Sequence, residues 1–428
     1  MVQDAARPTR CRTVVTEERP GLFEAYGVEI ELMIVDSTTL DVKPVCDELI
    51  AAVVGEPASE IELGDIAWSN ELTLHVLELK TNGPAPTLQG LAARFHESVL
   101  RANRALQGLG ARLMPGAMHP WMDPGTETEL WPHEYTEVYH AFDRVFGCSG
   151  HGWANLQSTH LNLPFAGDED FWRLHAAIRI ALPLIPALAA SSPFQDGRRG
   201  PAVDGRLLAY RENARRVPSV AGRVIPEVGT GREQYEREIL HPIYVDLAPH
   251  DPEGVLRHEW VNARGAIARF DRGAIEVRVI DTQECPTADL AVVAAVAGLI
   301  RSLTVGRLSG RDLAADPSTE TLAGLLERAI VHGEKAEVTE PEILRVLGMS
   351  AGDARLGRVW AHLLAADPVE DPTGEWTTAL ETILREGPLA RRMLAVSGRK
   401  PKHGDLRRVA DALCSCLAEN RSFGRGVV

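Results

Sequence analysis

The sequence predicts an α+β fold in which a mainly antiparallel sheet is followed by a layer of helices. Alternating apolar and polar residues indicate strands with one apolar face at residues 27–36, 157–165 and 274–281. After residue 286 the apolar residues recur at helical spacing instead, and the predicted helices cover residues 290–303, 321–331, 341–347, 356–364, 377–385 and 405–417. Strands and helices that come in separate blocks favour an antiparallel sheet with the helices packed outside it.

The 428 residues are enough for one large domain with a sizeable buried core. We predict a polar, flexible tail at residues 1–20 and a single domain at residues 21–428, which is rich in sheet to residue 286 and helical from residue 287. Within the first part, the pattern also predicts a helix that Thr87 caps, a helix at 168–182, a short strand at 111–114, and loops at 195–205 and 222–237.

Composition excludes several classes of function. The formal net charge of −15 argues against a broad affinity for nucleic acid, because phosphate binding needs a basic surface. No apolar signal region stands at the start, and the apolar stretch at 290–300 is too short to span a bilayer, so we predict a cytoplasmic protein without a membrane partner. The six cysteines are scattered without a CxxC pair, which indicates reduced thiols rather than a structural zinc site.

The first predicted strand, GVEIELMIVD, carries two carboxylates on one face. Val28, Ile30 and Leu32 point to the opposite face, because successive side chains of a strand alternate. Glu29 and Glu31 therefore leave the same side of the strand, roughly 7 Å apart along it.

The same design recurs on two other predicted strands. His160 and Asn162 share the polar face of the strand at 157–165, and Glu276 and Arg278 share that of the strand at 274–281. If the three strands belong to one sheet, this face is a floor of carboxylates, an imidazole and a guanidinium.

Each of these pairs has an ordinary explanation when it is taken alone. Two glutamates on a solvated face are common, a lone histidine is as often structural as a ligand, and a glutamate beside an arginine is typically an ion pair. The combination favours a functional site, because crowded carboxylates repel one another unless something positive lies among them. Mg²⁺ takes oxygen ligands from carboxylates and nucleotide phosphates, and a guanidinium can neutralise phosphate charge.

A further acidic segment, ELTLHVLE, has an ambiguous period. As a helix it would place Glu71, His75 and Glu78 on one face, whereas as a strand it would point the two glutamates in opposite directions. We favour Glu78 as the functional member, because it opens a strand that runs into the turn at TNGP.

Six segments, taken in order along the chain, resemble the second family of glutamate–cysteine ligases, also called carboxylate–amine ligases. They are YGVEIEL, ELTLHVLELKT, GAMHPW, STHLNLPF, SSPF followed by LLAYR, and NARGAIARFDRGAIEVRVIDTQECP. The resemblance covers about residues 26–286. It implies a catalytic domain like that of glutamine synthetase, in which the sheet forms the floor of the active site.

The resemblance also implies a role for one or more residues in each segment. The implied metal ligands are Glu29, Glu31, Glu78, Glu276 and His160. The implied nucleotide-binding residues are Arg278, Asn162 and His119. In catalysis, Arg278 would steady the transferring phosphoryl group and Arg211 would hold a substrate carboxylate. His160 would bind metal or phosphate, and a general base is the weaker alternative for it.

The activity that the resemblance implies is ATP-dependent formation of a γ-glutamyl amide through an acyl phosphate. It would use ATP and Mg²⁺, with Mn²⁺ as the alternative metal, and it would act on small molecules: glutamate or a similar acid, and an amine such as cysteine. The alternatives are the same chemistry with another acid or amine, and a phosphotransferase of the guanidino-kinase type. A catalytically silent binding protein ranks last, because the carboxylates are present, and a homo-oligomer is left open.

Overall fold

The computed structural model describes residues 19–229, 231–306, 317–350 and 354–424. Residues 1–18 of the predicted tail lie outside the described residues, so the flexible tail stays a prediction.

The described part of the chain forms ten strands, which pair antiparallel throughout. They are β1 (Gly27–Asp36), β2 (Glu60–Leu63), β3 (Ile66–Asn70), β4 (Val76–Thr81), β5 (Ala111–Met114), β6 (Ser158–Pro164), β7 (Phe194–Gln195), β8 (Arg198–Arg199), β9 (Ala266–Arg269) and β10 (Ala274–Asp281). Eight of them form one sheet in the order β2–β3–β4–β1–β6–β10–β9, with β5 also pairing with β1. The remaining two, β7 and β8, form a separate hairpin.

The helices of the first two thirds lie between and beside the strands. They are α1 (Cys46–Val54), α2 (Leu91–Gln107), α3 (Pro124–Glu127), α4 (Thr136–Phe146), α5 (His151–Ala154), α6 (Asp168–Ala181), α7 (Pro186–Ala189), α8 (Gly205–Asn213), α9 (Arg232–Tyr235) and α10 (His241–Leu247). The helices of the last third are α11 (Pro286–Thr304), α12 (Thr319–His332), α13 (Pro341–Val346), α14 (Leu356–Ala366), α15 (Thr377–Glu386), α16 (Leu389–Ser397) and α17 (His403–Glu419).

The apolar face of the sheet is the centre of the core. On β1, Val28, Ile30 and Leu32 are almost fully buried, and burying each such side chain stabilises the fold by about 1.5–3 kcal/mol. Three helices cover this face: α11 packs against α2 and α6 and contacts β6. The predicted α+β fold, with an antiparallel sheet and a helical last third packed outside it, is therefore confirmed.

Helix α11 is the longest apolar element among the described residues. Its 19 residues are long and apolar enough to cross a membrane by length and composition, but 83% of the most apolar window is buried inside the protein. Such burial is typical of a helix in the core of a protein. Because most faces of α11 contact other parts of the protein, most of its residues can be apolar.

Some predicted boundaries were wrong for local reasons. Helix α2 begins at Leu91 rather than after Thr87, because Gly90 adopts a left-handed conformation with φ of 78° at the helix start. The segment predicted as a loop at 222–237 contains α9 and the beginning of a π-helical turn at Glu236–Leu240. Helix α16 was not predicted from the sequence.

Candidate active site

The polar face of the sheet brings the predicted acidic residues together. In the β1–β4 ladder Glu31 lies opposite Glu78 and Glu29 opposite Lys80, and in the β1–β6 ladder Glu29 lies opposite His160. On the other side of β6, Glu276 of β10 lies opposite Asn162. The alternation that buries one face of these strands therefore assembles the polar groups on the other.

All of these residues except Asn162 line a cavity of about 360 Å³ above the sheet. Its carboxylates are Glu29, Glu31, Glu71, Glu78 and Glu276. Its cationic side chains are Lys80, Arg206, Arg269, Arg272 and Arg278, with His160 among them. Its aromatic side chains are Tyr139, Phe142, Trp153, Tyr210 and Trp260.

His160 lies at the centre of the carboxylates. Its Nδ1 is 2.8 Å from Oε2 of Glu29 and 3.8 Å from Oε1 of Glu276, while its Nε2 is 3.7 Å from Oε1 of Glu31. Although burial alone would lower it, the surrounding carboxylates raise the pKa of His160 to about 9. Burial alone would raise the pKa of Glu29, but the hydrogen bond from His160 together with the charges of His160, Lys80 and Arg272 lowers it to about 2.

Two further carboxyl groups show the crowding of negative charge. Burial, followed by the charge of Glu29, raises the pKa of Glu78 to about 8, although Lys80 and a hydrogen bond from the Ser69 hydroxyl oppose this shift. Burial and the charges of Glu78 and other carboxylates raise the pKa of Glu71 well above its usual range. Both shifts indicate that more positive charge is needed for all these groups to ionise.

Arg278 reaches the cavity from the polar face of β10, two residues after Glu276. The β10–β6 register shifts between Val277 and Ile280, whereas on the β9 side the Arg278 backbone N–H continues the pairing by donating to the carbonyl of Gly265. Its Nε donates to Oε1 of Glu276 at 2.5 Å, and Nη1 of Arg269 lies 3.6 Å from the other oxygen of Glu276. The Arg278 guanidinium therefore contacts the same carboxylate that faces His160.

The donor set fits a divalent metal ion. Two groups of ligand atoms each lie within 4.8 Å of one another: Glu29, His160 and Glu276 form one, and Glu31, Glu78 and His160 form the other. Carboxylate oxygens that are buried and close together match the hard ligands of Mg²⁺. The structure therefore brings all the predicted metal ligands to one place.

Asn162 supports the site from beside it. Its side-chain Nδ2 donates to Oε1 of Glu29 at 3.1 Å, and it does not line the cavity itself. A β-carbon at Gly27 would lie 2.9 Å from Cβ of Asn162, so only glycine lets the two strands keep this spacing. Asn162 therefore orients Glu29, whereas the sequence predicted a direct contact with nucleotide.

The structure does not bring His119 to the cavity. This histidine is 1% exposed, its Nε2 lies 2.7 Å from the carbonyl oxygen of Leu40, and its Nδ1 accepts the backbone N–H of Met122. Because both ring nitrogens already have partners in the core, His119 has no free atom for a nucleotide, and we assign it to the core.

Arg211 also points away from the cavity. It lies on α8, where its Nη2 is 3.3 Å from Glu327, and Arg206 of the same helix lines the cavity in its place. Five residues separate the two arginines, which rotates them by about 140° around the helix. Arg206 was not predicted from the sequence, because residues 195–205 were expected to form a loop and the pattern does not mark where α8 begins.

Three other cationic side chains of the cavity were also missed. Lys80 follows Glu78 on β4 with the spacing that places both on one face, so this alternation was a usable signal. Arg269 and Arg272 come from β9 and the turn that follows it, and only the pairing of β9 with β10 brings them to the carboxylates.

The model of glutamate-cysteine ligase family 2 matches residues 25–412. The chain belongs to this family. Membership makes the protein an ATP-dependent carboxylate–amine ligase, and the family and the class of enzyme predicted from the sequence are confirmed. The alternative of a guanidino-kinase-like phosphotransferase is not favoured.

Relatives of this family member come from several organisms. An uncharacterized protein of Archaeoglobus fulgidus is 36% identical over 276 residues, which are 64% of this chain and 74% of the relative. A Rubrobacter xylanophilus protein with the provisional name glutamate–cysteine ligase 2-3 is 30% identical over 46% of this chain and 50% of its own length. For the second relative the similarity thus spans half of the protein.

The fold is also that of a solved ligase structure. The glutamate–cysteine ligase of Francisella tularensis, determined in complex with AMP, superposes with a TM-score of 0.62 over 94% of this chain and 90% of that one. Its sequence identity is 10%, so the likeness concerns the fold alone.

Proposed function

We propose that this family member joins the side-chain carboxylate of glutamate to the amino group of cysteine at the expense of ATP. The observation that carries the proposal is the convergence of five carboxylates and five lysine or arginine side chains around His160 in one cavity. A triphosphate and a carboxylate substrate repel each other when they bind side by side. A divalent cation held by carboxylates, together with guanidinium groups, neutralises this negative charge.

The reaction needs an activated carboxylate, because amide formation in water is uphill. In the proposed route a carboxylate oxygen of the acid attacks the γ-phosphorus of ATP, ADP leaves, and an acyl phosphate forms. The amine then attacks the acyl carbon, loses a proton and expels inorganic phosphate. Both steps build negative charge on oxygen atoms, so positioning and charge neutralisation supply most of the catalysis.

The residues of the site divide this work among them. Glu29, Glu31, Glu78 and Glu276, with His160, would hold Mg²⁺ or Mn²⁺, which when bound supplies positive charge to the phosphate oxygens. Arg278 is fixed by Glu276 and presents its guanidinium to the transferring phosphoryl group. In the described structure Nδ1 of His160 is hydrogen-bonded to Glu29 at 2.8 Å and Nε2 to the Ser158 hydroxyl at 2.9 Å, so His160 would release a proton and one of these partners to bind the metal.

The aromatic side of the cavity suits the protection of an acyl phosphate from water. Phe142 packs against Trp153 with ring centroids 5.1 Å apart and against Trp260 at 5.8 Å. Such a wall limits the access of water to a reactive intermediate that an amine must reach first.

Residues 21–428 would act as a single catalytic domain in the cytoplasm. The sheet and the helical last third contribute to one buried core, in which Ile30 of β1 and Val296 of α11 both take part. This shared core supports one cooperative unit rather than a separate C-terminal domain.

The experiment that tests the proposal is ADP release from the purified protein with ATP, Mg²⁺, glutamate and each amino acid in turn, cysteine included. We expect ADP release to depend on both glutamate and cysteine, with γ-glutamylcysteine as the product by mass spectrometry. Turnover with another acid or amine would change the proposed substrates but would still show ligase activity. A phosphorylated guanidine in place of an amide would overturn the proposal.

A further inference from the structure

Helix α8 presents three polar side chains to the cavity from one face. Arg206, Tyr210 and Asn213 stand at positions i, i+4 and i+7, which coincide on one side of a helix, and all three line the cavity. We call these three residues the α8 stripe. The helix start is fixed by the Asp204 side chain, which accepts the backbone N–H of Leu207.

Arg206 is a buried guanidinium with part of its donors still available. Its Nε donates to Oδ1 of Asp281 at 2.6 Å, and its Nη2 donates to the carbonyl of Arg278 at 2.9 Å. Asp281 is itself held by Ser191 and Ser192. Among the described residues Nη1 has no hydrogen-bond partner, so a rigidly held guanidinium keeps donors for a ligand in the cavity.

The other two members of the stripe carry buried polar atoms without partners. The Tyr210 hydroxyl lies beside the Arg278 guanidinium but makes no well-formed hydrogen bond in the described structure, and neither does Oδ1 of Asn213. The Asn213 amide is nevertheless fixed, since its Nδ2 donates to the carbonyl of Gly152 at 3.2 Å. Buried polar atoms that lack partners reduce stability, so their presence beside a cavity indicates a ligand that satisfies them.

The stripe combines donors and an acceptor in the pattern that complements an α-amino acid. A guanidinium and a phenol hydroxyl donate to a carboxylate, and an amide oxygen accepts from an ammonium. A phosphate would use the donors alone and leave Oδ1 of Asn213 without a partner.

We propose that the α8 stripe binds the α-carboxylate and α-ammonium of the acid substrate, an α-amino acid whose side-chain carboxylate is activated. This assignment rests on the proposed function and adds the residues that select the acid. It concerns the acid rather than the amine, because the nitrogen of the amine must lose its proton and react, whereas the head group of the acid stays unchanged. Arg206 and Tyr210 would take the α-carboxylate, and Asn213 would take the α-ammonium.

The test compares Tyr210→Phe and Asn213→Ala with the wild type, using L-glutamate as the acid. We expect KM for L-glutamate to rise about tenfold or more in each variant, as for a lost hydrogen bond to a charged group, while KM for ATP changes less than about twofold. Asn213→Ala also removes the hydrogen bond from Nδ2 to the Gly152 carbonyl, and the Tyr210 hydroxyl lies beside Arg278, so a purely structural effect of either change would shift KM for L-glutamate and KM for ATP alike. Glu212→Gln, an exposed change on the same helix, is the matched control.

Analogues identify which atom each side chain binds. Glutarate lacks the α-ammonium, so Asn213→Ala should lose the preference for L-glutamate over glutarate. 4-Aminobutyrate lacks the α-carboxylate, so Tyr210→Phe should lose the preference for L-glutamate over 4-aminobutyrate. The assignment is overturned if both variants keep the wild-type preferences, or if Arg211→Ala is the change that weakens the binding of L-glutamate. Neither result would contradict the proposed ligase activity.

Calorimetric titration of L-glutamate separates this proposal from the proposed function. If the wild type forms no amide with any pair of substrates, the ligase proposal fails, but binding of L-glutamate that weakens in Tyr210→Phe and Asn213→Ala still supports the stripe. No binding of L-glutamate by the wild type, with or without a non-hydrolysable ATP analogue and Mg²⁺, overturns it.

Discussion

The imidazole of His160 donates from Nδ1 across the β1–β6 ladder to Oε2 of the Glu29 carboxylate, at 2.8 Å. The two residues face each other directly in the register, and Asn162 donates to the second oxygen of Glu29 at 3.1 Å. Glu29 is therefore the carboxylate of the site whose orientation is most completely fixed, and it is the first residue to test.

Glu29→Gln should abolish ATP-dependent amide formation and leave the fold intact. The change removes the negative charge that a metal ion needs, while the side chain keeps its size on the polar face of β1. We expect ADP release to fall at least about 100-fold, as for other lost electrostatic contacts at a reacting centre. Glu62→Gln, an exposed change on β2, is the control. Full activity in a folded Glu29→Gln protein would refute the metal assignment.

Mg²⁺ should stabilise the protein in the absence of nucleotide. A ligand that binds only the folded state raises its stability, and the crowded carboxylates of the cavity are the place where Mg²⁺ would bind. We expect the thermal midpoint to rise with Mg²⁺ in the wild type but not in Glu276→Gln. NaCl at the same ionic strength controls for screening, and an equal rise in both proteins would place the ion elsewhere.

Arg278→Lys should impair catalysis although it conserves the charge. A lysine cannot hold Glu276 through Nε and present a planar fork to a phosphoryl group at the same time. We expect kcat to fall about 100-fold with a smaller change in KM for ATP, since the contact matters most in the transition state. Arg104→Lys on the exposed side of α2 should keep the wild-type kcat. An unchanged kcat in Arg278→Lys would remove Arg278 from the phosphoryl transfer.

Asp289 should make stability fall as pH rises. Burial raises its pKa to about 7, although its Oδ1 accepts hydrogen bonds from Thr159 and from the Gln283 backbone, and the charge of Glu284 raises it further. The folded state therefore binds more protons than the unfolded state between the ordinary carboxyl pKa and pH 7, and it loses this stabilisation as pH rises through that window.

Urea unfolding of Asp289→Asn measures this effect. Asparagine keeps the accepting oxygen and never ionises, so the variant should gain about 2–4 kcal/mol relative to the wild type between pH 4 and pH 8, at about 1.4 kcal/mol for each pKa unit. Asp246→Asn on the exposed side of α10 should show no such trend. A difference between wild type and Asp289→Asn that stays constant with pH would mean that Asp289 ionises normally in the fold.

Two glycines should respond to alanine in opposite directions. Gly27→Ala places a methyl group 2.9 Å from Cβ of Asn162, which forces β1 and β6 apart beside Glu29, so both stability and activity should fall. Gly298→Ala meets nothing within 4 Å on α11 and should stabilise the protein by up to about 1 kcal/mol without changing activity. Thermal unfolding and ADP release measure both, and an active, unperturbed Gly27→Ala would show that the strand spacing is adjustable.

The strands of the site could be predicted because the alternation of side chains along a strand determines which residues lie on each of its two faces. Glu29, Glu31 and Glu276 follow from alternation alone, and the bounds of β1 and β10 agree with the sequence pattern. Arg206 could not be predicted this way, since its position depends on where α8 begins and on a partner 75 residues away, Asp281.

His119 shows the opposite limit of prediction from sequence. A histidine before a proline within a recognisable motif indicates function, yet its two nitrogens are used by the Leu40 carbonyl and the Met122 amide in the core. Whether a histidine serves the fold or the site depends on contacts between distant segments, which the local pattern does not contain.

The alternation of side chains along β1 limits which insertions and deletions this protein can accept during evolution. If the second half of β1 keeps its pairing and no bulge forms, a residue inserted between Glu31 and Leu32 would turn Glu29 and Glu31 toward the apolar face and bring Val28 and Ile30 out to the polar face. An insertion in this half of β1 therefore preserves the site only if it adds two residues or if a bulge absorbs the extra one, as the irregularity of β10 does.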